Sequence, residues 1–281
     1  MTGEWLAGAL ERLGLEGRGE PEPVRETAWS YVARVPTSEG PVWFKRVAQA
    51  VRHEVAVTEA LAAIAPELVL APLASDAALG LMLLPDGGET LRARPVPGRW
   101  EVTLARYAEL QLASAPHAAK LLALGALDRR PEALPGLLDA LPGVETVRHL
   151  APRLIEACVR LGALPVTIEH DDLHDGNVFH DGRIFDWGDA GVAHPFFTCV
   201  ISLQEEPARV RDAYLEPWTA LAPRAELLEL LDDALWVGCA ARALTWAEIL
   251  TRLGGETRRE HWQSVEKWLA LYAAGGIDLS G

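Results

Sequence analysis

Only three cysteines occur in the chain, Cys158, Cys199 and Cys239, odd in number and far apart. No disulfide framework or zinc-ligand spacing can be assembled from them, which suits a reducing compartment. The expectation is three small apolar core residues. Long hydrophobic runs are also missing: none approaches the roughly 18 residues that span a bilayer. Met1 to Arg18 mixes charges with its apolar residues where a secretory signal would carry an unbroken apolar segment. These absences predict a soluble, cytoplasmic protein. Positive charge is short as well, with 26 Lys and Arg against 40 Asp and Glu and a formal net charge of -14. A surface that acidic repels phosphate backbones and anionic lipid, so nucleic acid and membrane are set aside as partners. It is compatible with a cationic small molecule, although acidity more commonly serves solubility. Internal repeats and low-complexity tails are absent.

What remains is an ordinary globular composition. Of 281 residues 49% are hydrophobic, enough for a real core, and the length fits one large domain or two lobes. Leu6, Leu10 and Leu13 space an opening helix, and Glu20–Pro23 reads as a break. Tyr31–Val35 and Val42–Val47 are β-branched and aromatic runs either side of Pro36–Pro41, a hairpin pattern. Val51–Ala65 has helical spacing and stops at Pro66. The short apolar runs Leu68–Leu73 and Leu79–Leu84 read as strands. Pro85-Asp86-Gly87-Gly88 breaks the chain, dividing it into a β-rich lobe, residues 1–87, and a helical lobe, residues 88–281. Helical periodicity covers Arg99–Ala115, Leu134–Leu141, Val147–Leu161, Ala208–Leu221, Ala225–Leu253 and Thr257–Ala274. The fold class is α+β.

One stretch of the second lobe departs from this pattern. Ile168–Phe179 is dense in acid and histidine and is followed by Ile184-Phe185-Asp186-Trp187-Gly188-Asp189. So many carboxylates need cations, hydrogen bonds or water around them. Asp172, Asn177 five residues on and Asp186 nine further match the spacing of the phosphoryl-transfer template. There the first Asp orients and accepts the proton of an attacking hydroxyl, while the Asn and second Asp offer hard oxygens to Mg²⁺. The plainer reading is an acidic loop with Asp-Gly turns at Asp175-Gly176 and Asp181-Gly182.

His170-x-Asp172-Leu173-x-x-x-Asn177 with Ile184-Phe185-Asp186-Trp187 resembles the aminoglycoside phosphotransferase family, the antibiotic-kinase branch of the protein-kinase-like fold. The resemblance runs from about Trp29 to about Phe197. It implies a two-lobed kinase with ATP or GTP and Mg²⁺ between the lobes, and a small-molecule acceptor such as an aminoglycoside, an amino sugar or an amino alcohol. It requires a phosphate-gripping lysine, for which Lys45 stands on an otherwise apolar strand, where a buried ammonium needs a partner. Glu54 fits the bracing glutamate better than Glu59. There is no G-x-G-x-x-G turn, and Ser30, ending Glu26–Ser30, is the candidate phosphate contact. The Leu84 carbonyl and Asp86 amide would meet adenine, with Pro85 between them lacking an N–H.

Two other readings remain. A metal-dependent hydrolase would use His170, Asp171, His174 and Asp175, but leaves Lys45 and the Asp172–Asn177–Asp186 spacing without a task. A catalytically silent nucleotide-binding module is the second. His170 and His174 are expected as scaffold, Asp171 and Asp189 as loop organisers, and Trp236, Trp246, Trp262 and Trp268 as core. The segment His194-Pro195-Phe196-Phe197-Thr198 replaces the acidic turn that the family tends to carry, which leaves open how the late helices are anchored. Of two acidic pairs, Glu205-Glu206 is expected to border the acceptor pocket and Asp232-Asp233 is not.

Overall fold

A computed structural model of the chain describes residues 2–204 and 207–279. The helix Thr2–Arg12 opens it, with Leu6, Ala9 and Leu10 turned inward. Five strands then build an antiparallel sheet: β1 (Glu22–Glu26), β2 (Ser30–Val35), β3 (Val42–Val47), β4 (Ala74–Asp76) and β5 (Leu81–Pro85), in the order β1-β2-β3-β5-β4. Because side chains alternate along a strand, β3 sends Phe44 to one face and Lys45 to the other. Phe44, with Val35, Val42, Leu81 and Leu83, packs on the opening helix. Val47 and Met82 lie on the opposite face with Val51 and Val55, which lead into and lie on the helix His53–Ile64.

Two expectations fail here for opposite reasons. The break at Glu20–Pro23 overlaps β1, all five residues of which are exposed. An edge strand exposed on both faces has no apolar alternation to read, and tolerates Pro23 without an N–H. Conversely, Leu68–Leu73 is strongly apolar yet meets the sheet only at its end, where the Leu73 N–H donates to the Leu83 carbonyl at 2.7 Å. Leu68, Val69 and Leu70 are buried, and Ile184 N–H donates to the Leu68 carbonyl at 2.7 Å while Leu70 N–H donates to the Ile184 carbonyl at 3.1 Å. Its burial comes from lying beneath the acidic segment, and the sheet's edge is taken by Ala74–Asp76.

From Arg99 onward helices dominate: Arg99–Ser114, Ala118–Ala123, Leu134–Asp139, Ala151–Leu161, Pro207–Leu215, Arg224–Leu253, Gly255–His261 and Gln263–Ala274. Three strands too short to show periodicity, β6 (Leu127–Arg129), β7 (Thr167–Glu169) and β8 (Gly191–Ala193), form a second sheet in the order β6-β8-β7. β7 leads into the acidic stretch and β8 leads out of it. One core runs beneath, around Tyr107, Trp187, Phe196, Trp218 and Trp236. The unusual His194–Thr198 segment is a buried turn whose Pro195 carbonyl accepts from Gln111 Nε2 at 2.9 Å and Tyr214 Oη at 2.7 Å. That is how the late helices are anchored. A Cβ on Gly238 of the helix Arg224–Leu253 would stand 2.8 Å from Val200, so glycine is needed for this close approach.

The helix Arg224–Leu253 belongs to this core and also reaches the first sheet. Ile249 packs with Val47, Val51, Val55 and Met82, and Arg252 Nη1 donates to the Ala50 carbonyl at 3.2 Å. Trp246 meets Trp29 edge-on at 6.4 Å. Among the described residues no helix is long and apolar enough to cross a membrane.

Candidate active site

Lys45 is buried on β3 and reaches two carboxylates, Glu54 Oε1 at 2.5 Å and Asp186 Oδ1 at 2.6 Å. Burial disfavours its ammonium, but Asp186 and Glu54 outweigh that and push its pKa up. Asp186, with the ammonium beside it, is held below the ordinary carboxylate range despite its burial. Burial pushes Glu54 up to about 7 against the pull of Lys45, so Asp186 is the firmly charged partner. Glu59, the alternative to Glu54, points instead to Ser75 Oγ.

The acidic stretch is shaped by backbone conformation. Asp171 and Asp186, at φ 64° and 69°, are the two non-glycine residues in the left-handed region among those described. Each costs of order 1–3 kcal/mol, a strain that persists where the surroundings over-determine it. Here they do. The His170 N–H donates to Tyr107 Oη at 2.9 Å, and His170 Nε2–H donates to the Phe185 carbonyl at 3.0 Å, leaving Nδ1 to accept from the Asp172 N–H at 3.4 Å. Both ring nitrogens are thus occupied, and burial lowers the imidazole pKa. His174 Nδ1 accepts from the Gly176 N–H. Among the described residues there is no cluster of three or more His, Cys, Asp or Glu placed to hold a metal. The His170/His174 hydrolase site therefore has no geometry behind it.

An oxygen-donor pair fares better. Asn177 Nδ2 donates to the Asp172 carbonyl at 3.0 Å, which turns its amide oxygen free, and Asp186 keeps 39% of its side chain exposed. Two hard oxygens facing one cavity, that of Asp186 partly open to water and that of Asn177 buried, suit a cation that keeps some of its waters.

Ser30, Lys45, Glu54, Asp172, Asn177 and Asp186 line one cavity of about 480 Å³. Trp29, Arg92, Arg242 and Trp246 share its wall. The turn before Ser30 is closed by Thr27, whose Oγ1 accepts from the Ser30 N–H at 3.0 Å. Leu84 and Asp86 are not part of this wall. Leu84 pairs with Trp43 across the sheet, and Asp86 Oδ1 accepts from Trp43 Nε1 and from the Gly88 N–H. Beside them Gly87 is pressed against Phe179, where a Cβ would come within 2.3 Å of the ring, and Phe179 stacks on Phe185 at 4.4 Å.

A second cavity of about 670 Å³ opens on the other side of Asp172 and His174. Its walls are Leu91, Pro95 to Trp100, Ile201 and Val210, with Arg92 paired to Asp175 and Arg209 to Glu101. Glu205-Glu206 lies outside the described residues. Asp233 is paired with Arg160 at 2.6 Å, and Asp232 is exposed.

Arg242 is the residue the sequence reading missed. From the helix Arg224–Leu253 it places Nη2 2.6 Å from Asp172 Oδ1 and Nη1 3.0 Å from Asp171 Oδ2, donates to the Asp171 carbonyl, and stands 3.7 Å from Asp189 Oδ2. Burial alone would raise Asp172, but His174, Arg242 and His170 together hold it well below the carboxylate range. Asp189 is pushed up to about 8 by burial. A signal for Arg242 existed: an arginine among Ala240, Ala241 and Ala243 on a buried helix face needs a partner for the same reason as Lys45.

A family model described as the phosphotransferase enzyme family matches residues 24–230. No curated protein sequence matches. Among solved structures, a macrolide 2′-phosphotransferase type I is 19% identical, with 98% of this chain and 97% of that one covered and a TM-score of 0.57. A choline/ethanolamine kinase family protein from Mesorhizobium loti is 18% identical, with 96% and 95% covered and a TM-score of 0.61. The GDP and kanamycin complex of APH(2″)-IIia is 11% identical, with 97% and 98% covered and a TM-score of 0.59. At these identities the structural likeness speaks for the fold, and the family match, spanning well over half of the residues, speaks for the lineage. With residues 24–230 matched, the chain belongs to the phosphotransferase enzyme family, small-molecule kinases of the protein-kinase-like fold.

Proposed function

We propose that this protein transfers the γ-phosphate of ATP or GTP to a hydroxyl group of a small molecule. The observation that carries this reading is the junction of the two cavities: Asp172 and His174 form part of both walls. Nucleotide phosphates in the first cavity and an acceptor in the second would meet at the Asp172 carboxylate. Residues 1–87 would serve as the nucleotide lobe and residues 88–281 as the catalytic and acceptor lobe. Leu84 and Asp86, outside the cavity wall, could meet adenine only where the base extends beyond it. Ser30 would contact phosphate. Lys45, braced by Glu54, would exchange part of its bond to Asp186 for phosphate oxygens.

Asn177 and Asp186 would hold magnesium, which when bound would supply positive charge against the phosphates. Asp172, kept ionised by its neighbours, orients the acceptor hydroxyl and receives its proton as the phosphoryl group leaves. A loose phosphoryl transition state asks for position and charge more than for a strong base, which matches a carboxylate with a depressed pKa. GDP, kanamycin and choline in the names of solved relatives make a purine nucleotide and an amino sugar or amino alcohol the first compounds to try. A cytoplasmic location, where nucleotide triphosphates are at hand, fits three buried free cysteines.

Asp172→Asn should leave nucleotide affinity within a few-fold and lower kcat by ~10²–10⁴. Near wild-type turnover would remove Asp172 from the mechanism. Asp186→Ala should abolish divalent-metal-dependent transfer, and activity persisting in excess chelator would sink the magnesium assignment.

A further inference from the structure

We propose that Arg242 is a positioning residue for phosphoryl transfer, fixing one oxygen of Asp172 so that the other alone faces the acceptor. This rests on Asp172 being the residue that orients the hydroxyl. Its Oδ1 is held by Arg242 Nη2 at 2.6 Å, whereas Oδ2 has only His174 Nε2 at 3.6 Å. A carboxylate with both oxygens free rotates about its terminal torsion, which has broad wells. Pinning one oxygen removes that freedom and aims the other.

The pin is itself immobile. Arg242 is 5% exposed, and its second nitrogen donates to the Asp171 carbonyl and lies 3.0 Å from the Asp171 carboxylate as an ion pair. Asp171 is one of the two strained left-handed residues, so the guanidinium ties down the kink that presents Asp172. A planar fork can hold a backbone carbonyl, a carboxylate and a neighbouring carboxylate at once; an ammonium, which acts as a point charge, cannot. Arg242 also borders the phosphate cavity, so what it orders lies within reach of the reacting groups.

The test needs no knowledge of the acceptor. Metal-dependent release of the γ-phosphate of ATP or GTP, with water as acceptor, is measured under single-turnover conditions. The proteins compared are wild type, Arg242→Lys, Arg242→Ala, Asp172→Asn, and the double variant Asp172→Asn/Arg242→Lys. Arg242→Lys keeps a cation at the buried acids, so it tests the geometry even if Arg242→Ala does not fold. The expected result is a fall of roughly 10-fold or more in the rate for Arg242→Lys, with nucleotide KM within ~3-fold. In Arg242→Ala, guanidinium ion added to the buffer should restore part of the rate. In the Asp172→Asn background, Arg242→Lys should cost nothing further, because its effect passes through Asp172.

An equal fall in both backgrounds, or a fall matched by lost nucleotide affinity, would make Arg242 a purely structural residue. An unchanged rate in Arg242→Lys would overturn the proposal outright. If Asp172→Asn itself releases phosphate at the wild-type rate, or the wild type releases none, the proposed function falls first and this role with it.

Discussion

Lys45 and Arg242 are both cations sunk among carboxylates, but the surroundings treat them differently. Lys45 stands on a strand between Glu54, which burial brings close to neutrality, and Asp186, which is 39% exposed. One of its bonds is therefore at the water's edge and can be traded for another anion. Arg242 stands on a helix, with its partners Asp171, Asp172 and Asp189 drawn from two loops and a backbone carbonyl between its nitrogens. Asp172 and Asp189 keep 35% and 30% of their side chains exposed, but Asp171 keeps only 6%, so releasing Arg242 would leave that one buried acid alone. The comparison teaches that an exposed partner does not by itself free a buried cation. Asp186 and Asp172 are similarly exposed, and the difference lies in the partner behind them, a Glu54 that burial pushes up for Lys45 and a buried Asp171 with its carbonyl for Arg242.

The largest test of this difference is kinetic. Lys45→Ala should lower kcat/KM for nucleotide by ~10²–10³-fold, the loss typical of a missing electrostatic contact to reacting oxygens. Turnover close to wild type would contradict the contrast from the lysine side. The second test is thermodynamic and reverses the order. Arg242→Met should destabilise the fold by about 3–5 kcal/mol, since it strands a buried acid, whereas Lys45→Met should cost less because Glu54 can take up a proton. Denaturant melts of the two variants decide this; equal losses would erase the distinction. Third, Lys45→Ala and Glu54→Gln should be strongly non-additive in kcat/KM, with a coupling of roughly 1 kcal/mol or more. Additivity would dissolve the brace.

The smallest effect is one of pH. Glu54 and Asp189 have folded pKa values raised to about 7 and about 8. Between the ordinary carboxylate pKa and these values the native chain holds more protons than the unfolded chain, so its stability falls as pH rises. Tm should therefore decline from pH 5 to pH 8 through these two groups, and Asp189→Asn should flatten the decline. A variant with the wild-type slope would show that Asp189 is not charged at the expense of the fold.

The same contrast explains what could be read from the residues alone. Lys45, Glu54, Asp172, Asn177 and Asp186 fall in short segments whose spacing is fixed by local chain geometry, so a template can find them. Arg242 lies 70 residues beyond Asp172, on a helix whose pattern reads as core, and only the tertiary fold joins the two. The β2–β3 hairpin was visible because one of its faces is apolar and alternates. β1 was hidden because it buries nothing, and β6, β7 and β8 because three residues hold no period. Leu68–Leu73 misled because hydrophobicity reports burial and not the partner: its backbone pairs with Ile184, and only Leu73 reaches the sheet. Trp236 and Trp268 are core as expected, and Trp246 and Trp262 are half-buried against that core, with Trp246 also lining the cavity of Lys45 and Asp172.

The contacts of the helix Arg224–Leu253 with the first sheet bear on how the molecule can move. In chain order the sheet hangs from the helical body at Pro85–Gly88, which on its own would behave as a single hinge. The Trp29–Trp246 contact, the Arg252–Ala50 hydrogen bond and the seat of Ile249 fasten the sheet at a second place, reached from the far end of the chain. With the Lys45–Asp186 ion pair and the Leu68–Ile184 and Ile184–Leu70 hydrogen bonds added, a body held at several separated points does not swing as a rigid flap about Pro85–Gly88. The Thr27–Ser30 turn is fastened as well, by the edge-on Trp246 ring, by the His261 ring 5.2 Å from Trp29 and by the Ala48 N–H on the Trp29 carbonyl, so this part of the cavity wall is held from both halves of the chain.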